Sequence, residues 1–240
     1  MTTTTTEPTP TPAPAAARTN PAAKAWASFQ ENSADHQLTV LHEHGLYRHI
    51  RMAEPGTRMW SWDIVTWPGH LATSGDIADG LNLTEFVTSA DGLTFSREPD
   101  MIRDFFGRMR GNRPYYADGA PSLDFRYWAE KLQGDQRQTA KAYVHENFIR
   151  FVTETLTERR EDGYDASLTQ ERVDELIDEV KQLEEYEAAA RDWLAAHDDE
   201  FPDSWENDFK DYTFHFQVAC YAINAAVQAY LARPLPSAEQ

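Results

Sequence analysis

The chain has 240 residues, of which 41% are hydrophobic and 12% aromatic, and this length and composition suit a globular protein with a packed core. Its 40 acidic residues outnumber its 22 basic residues, and the resulting net charge of −18 disfavours direct binding to nucleic acid. The single cysteine excludes an intramolecular disulfide and a multi-cysteine zinc site, and no apolar run reaches the roughly 18 residues that a membrane-spanning helix requires.

The N-terminal segment is rich in Thr, Pro and Ala, and it lacks the basic and apolar regions of a secretory signal. Residues 1–21 contain almost no large apolar side chain, so burial cannot offset the entropy that is lost when they become ordered. We therefore expect a disordered tail at 1–21, a cytoplasmic protein and no contact with a membrane. After Pro21, the spacing of Trp26 and Phe29 predicts a short helix.

The next segments alternate between apolar and polar residues, a pattern typical of β-strands that bury one face. Gly45, Pro55-Gly56 and Pro68-Gly69 separate these runs and favour tight turns. We predict an antiparallel meander with strands at 38–44, 47–55, 59–67, 70–76 and 93–97.

The stretch 77–92 contains two Asp-Gly pairs and is predicted to form a loop or an extra hairpin before the last strand. Beyond that strand, Glu98, Pro99 and Asp100 favour a helix start, because proline and acidic residues suit the first turn of a helix. The periodic apolar residues that follow predict a helix as far as Gly111.

Helical periodicity continues through the second half of the chain. Ser167 and Gln170 have the spacing of a capping box, which marks a helix start. The most C-terminal helix is apolar almost all round, so we expect it to be buried. The predicted helices lie at 123–132, 139–160, 167–197 and 213–232.

These elements predict an α+β fold: an antiparallel β-meander with flanking helices, followed by a helical, acidic C-terminal half. We expect the sheet and its helices at 22–120 and the helical region at 121–233, packed on the sheet as one globular unit. A second tail is expected at 234–240.

Negative charge is concentrated between Glu154 and Asp211, where 21 acidic residues oppose 6 basic ones. In the helix predicted at 167–197, acidic residues lie opposite the apolar stripe; they are Glu171, Asp174, Glu175, Asp178, Glu179, Glu184, Glu185 and Glu187. Carboxylates in such a row can imitate the phosphates of nucleic acid, which predicts a surface for a partner protein. The alternative is an ordinary solvated helix face.

The predicted strands also gather ionisable residues: Arg48, Arg51, Arg58, Asp63, His70 and Asp76. The arginines could bind an anionic ligand, and His70 with Asp63 or Asp76 could perform acid-base catalysis. Ion pairing across neighbouring strands is the alternative explanation. Strand alternation places Arg48 and Arg51 on opposite faces unless a bulge intervenes, and this conflict weakens the hypothesis of a shared site.

Three histidines flank the first predicted turn: His42 and His44 share a strand face, and His49 lies across the hairpin. Three imidazoles could converge on a metal ion, although exposed histidines near a turn explain the same pattern. We expect no bound metal and no cofactor.

Cys220 lies in the buried helix near His215, which raises the hypothesis of a nucleophile pair. A cysteine in such a helix is typically a small hydrophobic residue. We likewise expect Trp60, Trp62 and Trp67 to belong to the core rather than to a binding platform for a sugar or base.

The chain resembles an uncharacterised family of proteins encoded by tailed bacteriophages and prophages. The motifs that carry the resemblance are GLYRHIRM, PGT, WSWDIVTWPGHLATSGD, LTFSREPDMIRDFF and DYTFHFQVACYAINAAVQAYL, within 45–120 and 208–231. Compared with that pattern, 77–92 is an insertion. The composition is similar to that of proteins from high-GC hosts such as actinobacteria. The resemblance implies a genomic context and no particular activity.

Two functions remain open from the sequence. The first is a phage or prophage accessory protein that binds a host or phage protein, for example to inhibit a host defence or nucleic-acid-handling complex. The second is a small-molecule-binding protein or enzyme that uses Arg48, Arg51, Asp63, His70 and Asp76. Nothing in the sequence indicates an oligomeric state.

Overall fold

The computed structural model describes residues 19–78, 80–84, 86–88, 94–96, 100–107, 115–163 and 168–234. Most of the two predicted tails therefore lies outside the described residues, and so do Ser167 and both ends of the strand predicted at 93–97. Within the described ranges, no helix combines the length and the apolar character that crossing a membrane requires.

The main sheet has five antiparallel strands in sequential order, which confirms the predicted meander. The strands are β1 (Gln37–His44), β2 (Tyr47–Ala53), β3 (Trp62–Trp67), β4 (His70–Gly75) and β5 (Asn82–Thr84). Alternate residues point to opposite faces. In β2, Arg48 and Ile50 are buried on the inner face, whereas His49 and Arg51 lie on the outer face.

The strand predicted at 93–97 is present at Thr94–Ser96, but its predicted place as the last strand of the meander is wrong. The edge position beside β4 is taken by β5, which comes from the stretch 77–92. Residues Phe86–Thr88 (β6) and Thr94–Ser96 (β7) form a separate two-stranded sheet. β5 follows β4 closely in the chain and pairs with its free edge, where backbone N–H and C=O groups need partners. The later strand at Thr94–Ser96 therefore has no free edge of β4 with which to pair.

A β-bulge in β1 changes which residues of that strand face the core. Leu38 and Val40 pair with inner-face residues of β2, but the register shifts between Val40 and His42. Because one extra residue reverses the alternation, His42 moves to the outer face and Glu43 to the inner face, opposite Arg48.

Two helices cover the inner face of the sheet. α1 (Ala23–Ser33) and α7 (Phe214–Leu231) pack against each other, and α7 also contacts β1, β2 and β3. The hydroxyl of Thr213 caps α7 by accepting the N–H of Phe216. The prediction that this helix is buried is confirmed, since most of its residues from Phe216 to Tyr230 are buried.

Order begins earlier than the tail predicted at 1–21 implies. Asn20 is buried, its amide donates to a carboxylate oxygen of Asp118 at 2.9 Å, and its own carbonyl oxygen accepts the N–H of Ala22. Polar contacts, which a count of apolar residues does not register, therefore fix the chain just before α1.

The helix predicted from 98 begins as a short π-helical segment at Met101–Phe106. Asp100 caps it, because its carboxylate accepts the backbone N–H groups of Ile102 and Arg103. Residues 108–111, at the predicted C-terminal end, lie outside the described residues. The helix predicted at 123–132 is present as α2 (Phe125–Glu130).

The prediction of a single helix at 139–160 is wrong in its first part. Residues Gln136–Thr139 form a short helix, α3, and Lys141–Tyr143 form a strand, β8, before α4 (His145–Glu161) begins. β8 pairs with β9 (Lys210–Tyr212), which lies between the helices predicted at 167–197 and 213–232. A pairing partner so distant along the chain leaves no local signal.

The helix predicted at 167–197 is also interrupted. α5 (Gln170–Gln182) and α6 (Glu187–Ala196) are separated by extended residues at Leu183 and Tyr186. A continuous helix of this length would span roughly 45 Å. The break instead lets Val180 of α5 and Ala190 of α6 pack in one core.

Two hydrophobic clusters result. The larger lies between the sheet, α1, the π-helical segment and α7. The second is built by α4, α5, α6 and the segment that leads to β9; its buried members are Phe148, Val152, Leu156, Leu168, Val173, Leu176, Val180, Ala190, Trp193, Leu194, Phe201 and Phe209. We call these helices and this cluster the acidic helical unit, because they coincide with the most negatively charged part of the sequence.

We expect Gly75→Ala to lower the free energy of unfolding by about 1–3 kcal/mol. Gly75 ends β4 with φ of +116°, and an added Cβ would lie 2.4 Å from the carbonyl oxygen of Ser61. Chemical denaturation of both proteins measures the loss. Gly56→Ala is the matched control, because Gly56 also has a positive φ but open space around it. An equal loss in both variants would refute the steric explanation.

Candidate functional site

Arg48 belongs to a buried ion pair rather than to a ligand-binding surface. Its guanidinium donates two hydrogen bonds of 2.7 Å to the two carboxylate oxygens of Asp100, and the Arg48 side chain is only 5% exposed. Burial raises the pKa of Asp100, but hydrogen bonds from Arg48 and from the backbone N–H of Arg103 outweigh it, and the pKa lies below its usual value.

The surroundings of Arg48 complete a polar network on the inner face. Three guanidinium groups lie around the ring of Tyr230, those of Arg233, Arg48 and Arg103, at 4.2, 5.5 and 5.6 Å from its centroid. The hydroxyl of Tyr230 donates to Glu43, which also accepts a 3.0 Å hydrogen bond from Arg233. This network joins α7 to β1, β2 and the π-helical segment.

Arg51 and Asp63 lie on the opposite, outer face of the sheet. The Arg51 guanidinium donates to both carboxylate oxygens of Asp63 at 2.6 and 2.7 Å, and His49 lies 3.0 Å from the same carboxylate. Burial raises the pKa of Asp63, but the hydrogen bonds from Arg51 and His49 outweigh this effect, and the pKa lies below its usual value. The carboxylate is therefore held ionised. Cross-strand ion pairing therefore accounts for these residues.

The remaining members of the predicted cluster lie elsewhere. His70 stacks on Trp67 at 5.1 Å, with its Nδ1 3.0 Å from the amide nitrogen of Gln133, and burial lowers its pKa. Asp76 follows β4 and accepts the N–H of Trp60. Arg58 is exposed in the turn between β2 and β3.

The hypothesis that Arg48, Arg51, Asp63, His70 and Asp76 form one site is therefore wrong. The sheet separates Arg48 from Arg51 and Asp63, as the strand alternation indicated. Asp63 pairs with Ser74 and His70 pairs with Trp67, so Asp63 and His70 are four residues apart along their strands, or roughly 13 Å. That distance does not allow direct proton transfer between the two.

The three candidate metal ligands do not assemble a site. Among the residues that the structure describes, no group of three His, Cys, Asp or Glu side chains could hold a metal ion. His42 and His49 are cross-strand neighbours and His44 lies opposite Tyr47. His42 and His44 are exposed, while His49 contacts Asp63, so the histidines form part of a solvated outer face.

Cys220 is buried, and burial raises the pKa of its thiol well above the usual value, so the thiolate nucleophile is disfavoured. Cys220 packs in the larger hydrophobic cluster as a small hydrophobic residue of α7. Of the three tryptophans expected in the core, Trp62 is fully buried and Trp67 is half-buried, but Trp60 precedes β3 and is 45% exposed.

The acidic face of α5 is present as predicted for its first five members. Glu171, Asp174, Glu175, Asp178 and Glu179 are exposed, while Val173, Leu176 and Val180 are buried on the opposite side. Two cations of the same helix partly offset the charge: Arg172 contacts Glu175 at 2.7 Å and Lys181 contacts Asp178 at 3.2 Å. We use the term acidic face for these five carboxylates.

Glu184, Glu185 and Glu187 do not continue the acidic face. Glu184 and Glu185 are exposed in the break between α5 and α6. Glu187 begins α6, where it pairs with Arg191 at 3.5 Å and with Lys210 at 3.0 Å. The change of chain direction at the break separates these three side chains from the row on α5.

Two exposed aromatic residues lie on the same helical unit, and neither was among the candidate site residues predicted from the sequence. Tyr186, in the break, is 51% exposed, and Trp205, in a short 3-10 helix at Ser204–Glu206, is 73% exposed. Arg191 of α6 donates to the carbonyl oxygens of Ser204 and Asn207, which holds the 3-10 segment against α6. The signal in the sequence was a tryptophan within a run of polar residues.

Comparisons with models of protein families, with curated proteins and with solved structures found no match to this chain.

Proposed function

We propose that this chain is a phage- or prophage-encoded accessory protein that binds a basic protein partner through the acidic face of α5. The observation that carries the proposal is the row of five exposed carboxylates on a helix whose other side is anchored in its own hydrophobic core. The last of the five, Glu179, also accepts a hydrogen bond from the indole N–H of Trp193 on α6. Such a basic protein partner normally binds nucleic acid. When the acidic face occupies the nucleic-acid-binding surface of the partner, the host defence or nucleic-acid-handling complex that contains the partner is inhibited.

The charge density of the acidic face supports this choice of partner. Glu171 to Glu179 span roughly 12 Å of helix axis at about 1.5 Å per residue. Five carboxylates less the charge of Arg172 give about one net negative charge per 3 Å, which is close to the one per about 3.4 Å of a single DNA strand. A surface that attracts phosphates therefore also attracts this helix face, and salt weakens both interactions.

Tyr186 and Trp205 add the apolar contact that a charged face alone does not provide. Exposed aromatic side chains dominate the free energy of many protein interfaces because they bury a large area with little loss of conformational freedom. Both residues lie beside α6 and thus on the acidic helical unit. We infer that they contact the partner together with the acidic face.

The phage part of the proposal rests on the motif resemblance, which implies a place of action in the cytoplasm of a bacterial host. The separation of the sheet residues Arg48 and Arg51 leaves the enzyme alternative without a shared site. In the described part of the chain, no geometry brings these sheet residues together as a catalytic group.

The proposal is tested by neutralising the acidic face. We expect Glu171→Gln, Asp174→Asn and Asp178→Asn together to abolish salt-sensitive capture of basic, nucleic-acid-binding proteins from nuclease-treated host lysate. A control variant with Glu31→Gln, Asp35→Asn and Glu54→Gln changes the net charge equally, at exposed positions outside the acidic helical unit, and should retain capture.

Duplex DNA added to the captured complex gives the second readout, because a partner held through its phosphate-binding surface should be released by DNA. Equal capture by the two variants would contradict the proposal, as would a captured protein that duplex DNA does not displace. Thermal unfolding of both variants shows whether the fold is intact.

A further inference from the structure

A small cavity lies against the larger hydrophobic cluster, which supplies three of its lining residues. It has a volume of about 140 Å³ and is formed by α1, the segment between β2 and β3, the end of β4 and the first turn of α7. Nine residues line it, among them Phe29, Trp60, Asp76 and Phe214. The volume is well below the roughly 300 Å³ at which pockets for drug-sized ligands begin, so only a small ligand or a single chemical group fits.

Trp60 holds a strained backbone conformation at this cavity. Its φ is +57°, a left-handed value that a bulky side chain rarely adopts and that costs about 1–3 kcal/mol. Hydrogen bonds on both sides fix it: its N–H donates to Asp76 at 2.9 Å, and its carbonyl oxygen lies 3.1 Å from Nε2 of His36. Strain that is held in this way typically marks a position where function requires the side chain.

Two aromatic residues that line the cavity are incompletely buried. Trp60 is 45% exposed and Phe214 is 47% exposed, although both are large apolar side chains that would bury readily elsewhere. Phe29, which is 5% exposed, also lines the cavity. Trp60 and Phe214 therefore keep part of their aromatic surface accessible.

The charge of the lining is negative. Asp76 is the one carboxylate among the nine lining residues, none of which is lysine or arginine. Its hydrogen bond to the Trp60 N–H places the carboxylate beside that residue. Lys24 lies outside the lining, with its Nζ 6.0 Å from the centroid of the Phe214 ring. His215, Asn32 and Ser28 supply the other polar side chains of the lining.

From this combination we propose that the cavity binds a methylated ammonium group. Aromatic rings and a carboxylate together recognise quaternary ammonium ions, because the ring faces attract the cation while the methyl groups need no hydrogen-bond acceptors. A primary ammonium ion lacks this advantage, since its three N–H groups would require acceptors. The group belongs either to a free small cation, such as choline, or to a trimethylated lysine side chain of a protein.

Calorimetric titration with choline tests the proposal against a neutral compound of the same shape, 3,3-dimethylbutan-1-ol. We expect saturable binding of choline, and at least about tenfold weaker binding of the neutral compound. A peptide with one trimethyllysine distinguishes the sources: tighter binding than choline indicates a protein ligand, and weaker binding indicates a free cation.

Two variants test whether Asp76 and Trp60 contribute to choline binding. Asp76→Asn keeps an acceptor for the Trp60 N–H and should weaken choline binding about tenfold or more. Trp60→Gly removes the ring but suits the positive φ, so it should abolish binding without loss of thermal stability. Equal affinity for choline and the neutral compound would overturn the proposal, and so would the absence of binding by both choline and the peptide.

Discussion

Asp100→Ala is expected to lower the free energy of unfolding by about 3–5 kcal/mol. The variant leaves the Arg48 guanidinium, which is 5% exposed, without its counter-charge inside the protein. It also removes the cap that accepts the N–H groups of Ile102 and Arg103. Urea denaturation followed by circular dichroism measures the loss.

Two controls separate the buried charge from other effects. Asp63→Ala breaks the same guanidinium–carboxylate geometry on the outer face, where Arg51 is 29% exposed, and should cost about 1 kcal/mol or less. Arg48→Met combined with Asp100→Asn removes both charges and keeps a capping side chain, so it should recover most of the loss. A double variant as unstable as Asp100→Ala would show that an unpaired charge is not the cause.

The same pair predicts a pH dependence. The pKa of Asp100 lies below the ordinary value of 3.8, because the hydrogen bonds from Arg48 and the backbone outweigh the effect of burial. A carboxylate with a depressed pKa stabilises the fold fully above its unfolded-state pKa and loses this contribution as the pH falls through its folded-state pKa. The stability difference between the wild type and Asp100→Asn should therefore shrink below pH 3.8. A difference that stays constant down to the acid transition would contradict this assignment.

Leu176→Ala is expected to destabilise the acidic helical unit by about 2–5 kcal/mol, with less effect on the sheet. Leu176 is fully buried within the second hydrophobic cluster, which shares no buried residue with the cluster beneath the sheet. Local openings follow such clusters when few contacts join them. Hydrogen exchange should show lost protection in α4, α5 and α6, and retained protection in β2 and β3.

The matched control is Leu71→Ala, which makes the same change at a fully buried position of β4 in the larger cluster. We expect it to reduce protection in the sheet, α1 and α7. If both variants lower protection equally in all elements, the two clusters unfold together as one cooperative unit. In that case the acidic face is as stable as the sheet.

For the candidate site residues, the sequence predicted the sheet face of each side chain more reliably than the residue with which that side chain pairs. Strand alternation placed Arg48 and Arg51 on opposite faces, and the structure has them there. The partner of Arg48 is Asp100, which is 52 positions away and was interpreted only as a residue of a helix start. Because that contact depends on how the π-helical segment lies against the sheet, no local pattern could reveal it.

The lengths of the helices likewise depend on contacts that no local pattern reveals. The apolar stripe of 167–197 correctly indicated helix, and it correctly placed Glu171 to Glu179 on the solvent side. The break at Leu183 to Tyr186 has no proline or glycine to mark it. It forms because packing α5 and α6 on one core buries more apolar surface than a single extended helix would.

The sequence by itself determined the meander, the buried C-terminal helix and the acidic side of α5, because each depends on a residue period that acts over one or two turns or a single strand. Only the tertiary structure decided which strand closes the sheet, where the helices break, that Arg48 pairs with Asp100, and that Trp60 and Asp76 meet Phe214 at a cavity. These features depend on contacts between residues far apart in the chain, and their free energies are set by packing and by the burial of charge.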